Sequence, residues 1–398
     1  MTKSAALLKL YLVLLVVSPV CPQESAFKNQ VGTALQAYLD KVVIDEKVPG
    51  MTLAIQFEDG TLIDLASGYE NAHSKSKMAV GSRMFCGSTG KTIVSAIALQ
   101  LIGEGKFGLD DKVASFFENT QDREWYFELP NANEMTIRSL LNHTSGLPRY
   151  LFQPEYQRDL KAHPLKDRSP KSGLKALSGT KPIHGVGKGW SYSDSNYLLL
   201  GLVIEKVAGD KFYELAKQRI LKKLSLNDTI PATQPKLPGL IQGHIGSVNL
   251  FGLPKQTVNE NGEYALNPAF EWCGGGFITN VSDMARFLHA LHTGKVVPHS
   301  LYKKLTQPVG FIDGQPAEQG YGLGTFVWKT QNGIFLGHAG IMPGYLTQIE
   351  HSVKYKFTIA LQTNTDQGLG QQMHKVVQGF AAKSIELISE ATFPDEEK

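Results

Sequence analysis

Gly87-Ser88-Thr89-Gly90-Lys91 runs directly into Thr92-Ile93-Val94-Ser95-Ala96-Ile97-Ala98-Leu99-Gln100-Leu101-Ile102, a mainly apolar stretch that Gly103 and Gly105 stop. Apolar residues at Ile93, Ile97, Leu101 and their neighbours give a buried helix beginning at Ser88. Ser88 and Lys91 are three apart and therefore share one face of that helix. The Lys91 ammonium can lie beside the Ser88 hydroxyl, and the helix start adds free N–H groups and positive potential. A serine hydroxyl is a poor nucleophile until a neighbour takes its proton, which a lysine does when burial and positive surroundings lower its pKa. Alone, the tetrapeptide is no more than an ordinary N-cap serine presents.

Two further stretches add to it. In Trp190-Ser191-Tyr192-Ser193-Asp194-Ser195-Asn196-Tyr197-Leu198 a Tyr-x-Asp tripeptide stands just before an apolar helix. Tyr192 there can act as a base or relay protons to a leaving group, or it is a half-buried aromatic with Ser193 or Asp194 capping the helix. Gly337-His338-Ala339-Gly340 closes an expected strand and is followed by Ile341-Met342-Pro343-Gly344 and another strand. The glycines permit close approach of a ligand to the backbone. The Ile341 N–H, with that of Ser88, would form an oxyanion hole, and His338 would bind a substrate carboxylate or assist proton transfer.

In this order the three elements resemble the motifs S-x-x-K, Y-x-N and K-T-G or H-x-G of the penicillin-recognising serine hydrolases. That family comprises low-molecular-weight penicillin-binding proteins, class C β-lactamases and their esterase and D-peptidase relatives. Leu140-Leu141-Asn142-His143-Thr144-Ser145-Gly146-Leu147-Pro148 and Gly274-Gly275-Gly276-Phe277-Ile278-Thr279-Asn280-Val281-Ser282-Asp283-Met284-Ala285-Arg286-Phe287 are similar to the family as well, so the resemblance covers about residues 30 to 385. It implies attack of Ser88 on a carbonyl, an acyl-enzyme, and Lys91 and Tyr192 sharing the role of base. It also implies that the turn holding His143 is structural. Asp194 departs from the usual asparagine: it either holds Lys91 charged and repels anionic substrates, or pairs with Lys91 and leaves Tyr192 as the base. His338 replaces the lysine of K-T-G and binds a carboxylate less firmly, which turns the expectation from a β-lactamase towards a D-peptidase first and a carboxylesterase second. A non-catalytic penicillin-binding sensor is a further alternative.

Outside the site, Val31 to Val43 has helical spacing, and Met51 to Gln56 and Thr61 to Ala66 flank the turn Glu58-Asp59-Gly60 as a hairpin. Helices are expected near Ile137 to Leu141, Ser195 to Val207, Phe212 to Ile220 and Val281 to His292. Strands are expected at Gly322 to Lys329, Ile334 to His338, Tyr345 to His351 and Phe357 to Thr363, then a helix from about Gln371. Strands near both ends around a helical middle predict an α+β fold: one antiparallel sheet built from both chain ends and flanked by helices, with an inserted, mostly helical subdomain. The hydrolase domain would span 26–390, with its α/β part at about 26–108 and 300–390 and its helical part at about 109–299. Two long polar stretches, Arg149 to Gly189 and Asn227 to Pro268, are expected to shape the binding site.

At 398 residues and 42% apolar content the chain buries a large core, and its net charge of +3 names no nucleic-acid partner. Lys3 and Lys9 ahead of the apolar run Leu10 to Val17 form a signal-peptide layout over residues 1–25, with cleavage between about residues 18 and 26. The chain is thus expected to be secreted or periplasmic, with membrane association only through this segment. The apolar run is shorter than the roughly 20 residues of a spanning helix. Cys86 and Cys273 can meet near the site or are simply two small buried residues. With no H-E-x-x-H or paired C-x-x-C spacing, no metal site and no cofactor is expected. The partners expected are small peptides, esters or β-lactams.

Overall fold

The strands, in chain order, are β1 (Gly50–Gln56), β2 (Leu62–Asn71), β3 (Ser76–Lys77), β4 (Met84–Phe85), β5 (Ile230–Pro231), β6 (Phe277–Thr279), β7 (Gly320–Tyr321), β8 (Phe326–Thr330), β9 (Gly333–Met342), β10 (Tyr345–Ser352) and β11 (Thr358–Thr363). They come from a computed structural model that describes residues 22–247, 249–367, 369 and 372–392. Residues 1–21, most of the expected signal peptide, and Gln371 lie outside the described residues. The α-helices are α1 (Pro22–Asp45), α2 (Lys91–Gly103), α3 (Arg123–Phe127), α4 (Ile137–Leu141), α5 (Pro154–Ala162), α6 (Pro170–Lys175), α7 (Asp194–Ala208), α8 (Phe212–Ala216), α9 (Val281–His292), α10 (His299–Leu305) and α11 (Met373–Thr392).

The large sheet has the order β3-β2-β1-β11-β10-β9-β8-β7, antiparallel throughout. Within it lies the seam between the chain ends, where β1 pairs with β11 in the register Ala54↔Ala360. β1 is buried along its whole length because both faces are covered. Alternation along the strand sends Leu53 and Ile55 into a core shared with Leu35 and Leu39 of α1 and Phe380 of α11. Ala54 points to the other face and joins Met284 and Leu288 of α9. A second, small sheet, β4-β6-β5, lies beneath the turn that carries Ser88. The chain therefore has an α+β fold with one antiparallel sheet built from both ends and flanked by helices.

Several boundaries differ from the expected ones. The helix thought to begin at Ser88 opens as a 3₁₀ turn, Gly87–Gly90, and becomes α-helical at Lys91. Of the expected strand Gly322 to Lys329 only Phe326 onward is β8, because Gly324, with φ +91°, lies in the turn that follows β7. The strand expected to stop at His338 continues to Met342. A side chain at Gly340 would place its Cβ 2.0 Å from the Cys86 carbonyl oxygen, so this glycine lets the strand pass the Ser88 turn and does not end it. The stretch from Arg149 to Gly189 is not structureless: it holds a 3₁₀ turn, α5 and α6.

Between α9 and the sheet lies a layer of buried histidines. His351 stacks on His292 with ring centroids 5.3 Å apart and lies 2.8 Å, through Nδ1, from Thr358 Oγ1, which also approaches His289. Burial lowers the pKa of all three, to about 3 for His351. An unfolded histidine titrates near 6.5, so the unfolded chain binds more protons between that pH and about 3. Stability contributed by this layer is complete above pH 6.5 and is lost as pH falls below it. Thermal midpoints measured from pH 7 to pH 5 are expected to fall steeply, and His292→Phe should flatten the fall. An unchanged slope in the variant would remove the layer from the account.

Candidate active site

Ser88 and Lys91 meet as their spacing requires: Lys91 Nζ donates to Ser88 Oγ at 3.0 Å. The same ammonium donates to Asp194 Oδ1 at 2.7 Å and to the Gly274 carbonyl, which uses all three of its protons. Lys91 has no exposed side chain, yet it stays charged. Burial opposes the ammonium, and Asp194, Tyr192 and Glu271 outweigh it, so that its pKa lies above the ordinary lysine value. Asp194 heads α7, where the helix N-terminus also favours its charge. Burial would raise its pKa, but Lys91 and Arg149 hold it well below the usual carboxylate range.

Arg149 went unnoticed in the sequence. It opens the 3₁₀ turn after Leu147-Pro148 and places Nη2 2.7 Å and Nε 3.0 Å from Asp194 Oδ2. Asp194 is thus shared between two cations. The only sequence signal was an arginine at the mouth of a loop already expected to shape the site.

Tyr192 lies under Lys91, whose Nζ is 5.1 Å from its ring centroid. Its hydroxyl is buried without a well-formed hydrogen bond. Burial pushes its pKa up, while Lys91 and the nearby Ser88 hydroxyl favour its anion. The ring rests on His143, centroid to centroid 4.3 Å. His143 itself is fully buried, and its Nδ1 meets the Ser193 N–H at 3.2 Å and the Asn196 amide at 3.0 Å. It buttresses Tyr192 and the start of α7.

His338 lines a cavity on which Ser88 opens. Its Nδ1 lies 2.6 Å from the Ala339 carbonyl and must donate there, which leaves Nε2 to accept from the Tyr321 hydroxyl at 2.8 Å. Burial, then the Lys91 charge, lowers its pKa to about 3. With both nitrogens engaged and the ring neutral, His338 has nothing to offer a substrate carboxylate. It lines the cavity as a wall.

Ile341 is placed by strand register. The turn Pro343-Gly344, with Gly344 at φ +88°, makes Met342 and Tyr345 the closing hydrogen-bonded pair of the β9/β10 hairpin. Pairs alternate from there, so Ile341 opposite Leu346 directs its N–H away from β10. On that side lies Gly87, φ +52°, whose Cβ would come 2.6 Å from the Ile341 nitrogen. Ser88 sits in the first turn of its helix, where N–H groups lack intrahelical acceptors. The Ile341 nitrogen thus lies beside the residue that precedes Ser88.

Two cavities open on Ser88, Arg149 and Ile341. One, of about 390 Å³, runs along β9 and β10 past His338, Gly340 and Thr347. The other, of about 290 Å³, is walled by Leu151, Phe152, Leu250 and Phe251 from the two long polar stretches and by Phe270 just after the second, with Asp194 and Glu271 also lining it. Cys86 and Cys273 are both free and buried, and burial pushes the Cys86 thiol up to about 11. Among the described residues no cluster of three or more His, Cys, Asp or Glu could hold a metal ion. No described helix is long and apolar enough to cross a membrane.

Comparison with known proteins gives this site relatives. Penicillin-binding protein 4* of Bacillus subtilis (strain 168) is 25% identical over 344 residues, covering 84% of this chain and 72% of that protein. The D-aminopeptidase of Brucella anthropi is 23% identical over 347 residues, and the chain spans 62% of its length. Among solved structures, the D-stereospecific amidohydrolase from Streptomyces sp. superposes with a TM-score of 0.72 at 26% identity, covering 88% of this chain and 98% of its own. The beta-lactamase family model matches residues 34–379. The chain belongs to the beta-lactamase family and is a serine hydrolase of that fold.

Proposed function

We propose that the protein hydrolyses amides of D-amino acids through an acyl-enzyme at Ser88. The observation that carries this reading is the Ser88 hydroxyl, held 3.0 Å from Lys91 Nζ where two cavities meet, one for each side of a scissile bond. The names of the D-aminopeptidase and the D-stereospecific amidohydrolase support the choice of amide and of stereochemistry. Ser88 Oγ attacks the carbonyl carbon while the N–H groups of Ser88 and Ile341 receive the developing oxyanion. Because Asp194 keeps Lys91 charged, Tyr192 takes the Ser88 proton as a phenolate sustained by the Lys91 ammonium. Tyr192 then hands that proton to the departing amine as the C–N bond breaks. A water repeats the sequence on the ester, returning Ser88 and the free acid. An extracytoplasmic location belongs to the same proposal, supported by Lys3 and Lys9 ahead of Leu10 to Val17.

The test offers purified protein D-phenylalanine amide, L-phenylalanine amide, p-nitrophenyl acetate and a fluorescent penicillin in parallel, with intact-protein mass spectrometry. The expected result is preferential cleavage of the D-amide and an adduct confined to the Ser88 peptide. Turnover of the ester without the amide would replace this reading with a carboxylesterase, and turnover of the penicillin alone with a β-lactamase.

A further inference from the structure

Two carboxylates lining the apolar cavity take no part in the proposed chemistry: Asp366, which accepts from the Gly246 and Gly344 N–H groups, and Glu271. Glu271 is only 8% exposed, and among the described residues no hydrogen bond or ion pair reaches its carboxyl group. Its neighbours explain why. One carboxyl oxygen would lie 3.1 Å from a Cβ at Gly274, the residue whose carbonyl accepts from Lys91, yet all three Lys91 protons are committed elsewhere. Arg149 gives both Nε and Nη2 to Asp194. A buried carboxylate left without a donor is costly. Burial and the adjacent Asp194 accordingly raise its pKa to about 7, against the pull of Lys91 and Arg149. Near neutrality the group can release its proton to water and meet a cation arriving from the cavity as a carboxylate.

The cavity says what kind of cation that is. Its walls are Leu151, Phe152, Leu250, Phe251 and Phe270, a lining for a large apolar side chain, and Phe270 and Glu271 are consecutive, so wall and acid come from one segment. Ser88 opens on the same space. An acyl group seated there presents its α-substituent and its side chain to this base and these walls together. We infer that Glu271 anchors the free α-ammonium group of the substrate's acyl residue, whose apolar side chain fills the surrounding lobe. The inference rests on the reading of the site as an amino-acid amidase, and it makes the enzyme an aminopeptidase-type hydrolase that rejects N-blocked substrates.

The experiment separates binding from turnover. Ser88→Ala protein is titrated calorimetrically with D-phenylalanine amide, N-acetyl-D-phenylalanine amide and 3-phenylpropionamide. The amine-bearing ligand is expected to bind at least about tenfold more tightly than either of the others, and Ser88→Ala/Glu271→Gln should lose that preference. Equal affinities, no measurable binding, or a preference that survives Glu271→Gln would overturn the anchor. The acetylated ligand needs no change at Glu271, so the result does not depend on how the double variant folds. If wild-type protein cleaves no amide while the Ser88→Ala preference stands, the amidase reading fails and the anchor remains.

Discussion

Asp194→Ala is expected to destabilise the protein by about 3–5 kcal/mol, read as a lowered urea midpoint, because it leaves a buried charge uncompensated. The Asp194 side chain is only 3% exposed and Lys91 is not exposed at all. Without the carboxylate, Lys91 keeps acceptors at Ser88 and Gly274 but faces the Arg149 guanidinium with nothing between them. With burial and Arg149 no longer offset by Asp194, its folded pKa is expected to drop below that of an unfolded lysine. Such a group loses stability at low pH and recovers it as pH climbs towards the unfolded value near 10.4. The defect in Asp194→Ala should therefore shrink between pH 7 and pH 10, whereas a cavity left by the missing side chain would cost the same at both. A loss that does not vary with pH would assign Asp194 to packing. Arg149→Ala should cost far less, since that side chain is a third exposed and its loss leaves the Lys91–Asp194 pair intact.

The contrast between Asp194 and Arg149 also shows where sequence stops being legible. Elements fixed by local chemistry match their expected limits. α4 starts at a capping box built from Thr136 and Ser139, and α9 at Asn280, whose side chain receives the Asp283 N–H. The seam of β1 with β11 followed from apolar strands at both chain ends, and the Ser88–Lys91 contact from helical spacing. What could not be read depends on partners brought from afar. Asp194 and Arg149 are 45 positions apart, and neither spacing nor composition says that they touch. Glu271 stands between Phe270 and Trp272, and only the folded chain shows that its carboxyl finds no donor. The glycines beside His338 read as room for a ligand against the backbone. The absent side chain of Gly340 instead serves the passage of β9 against the Cys86 carbonyl, a contact across 254 positions that no local pattern records. The partner of His338 was hidden for a related reason: the Tyr321 hydroxyl at its Nε2 comes from β7, which β8 separates from β9 in the sheet.

Ser88→Ala should lower kcat/KM by about 10⁴-fold or more, and Tyr192→Phe by on the order of 10²- to 10⁴-fold. The difference follows from what each change removes. Without Oγ no acyl-enzyme forms, so no adduct should appear on the Ser88 peptide with any of the substrates. Without the phenol, the hydroxyl still lies 3.0 Å from Lys91 and the oxyanion donors are untouched, but the proton has no carrier. The pH profile distinguishes the base. Burial holds Tyr192 above its ordinary value, so the phenolate is scarce at neutrality and kcat/KM should rise with pH into the alkaline range. In Tyr192→Phe that rise should vanish. If it persists unchanged, the proton goes to Lys91 despite its pairing with Asp194, and Tyr192 serves only to pack against His143 beneath the ammonium. Full hydrolysis by Ser88→Ala would remove the acyl-enzyme altogether.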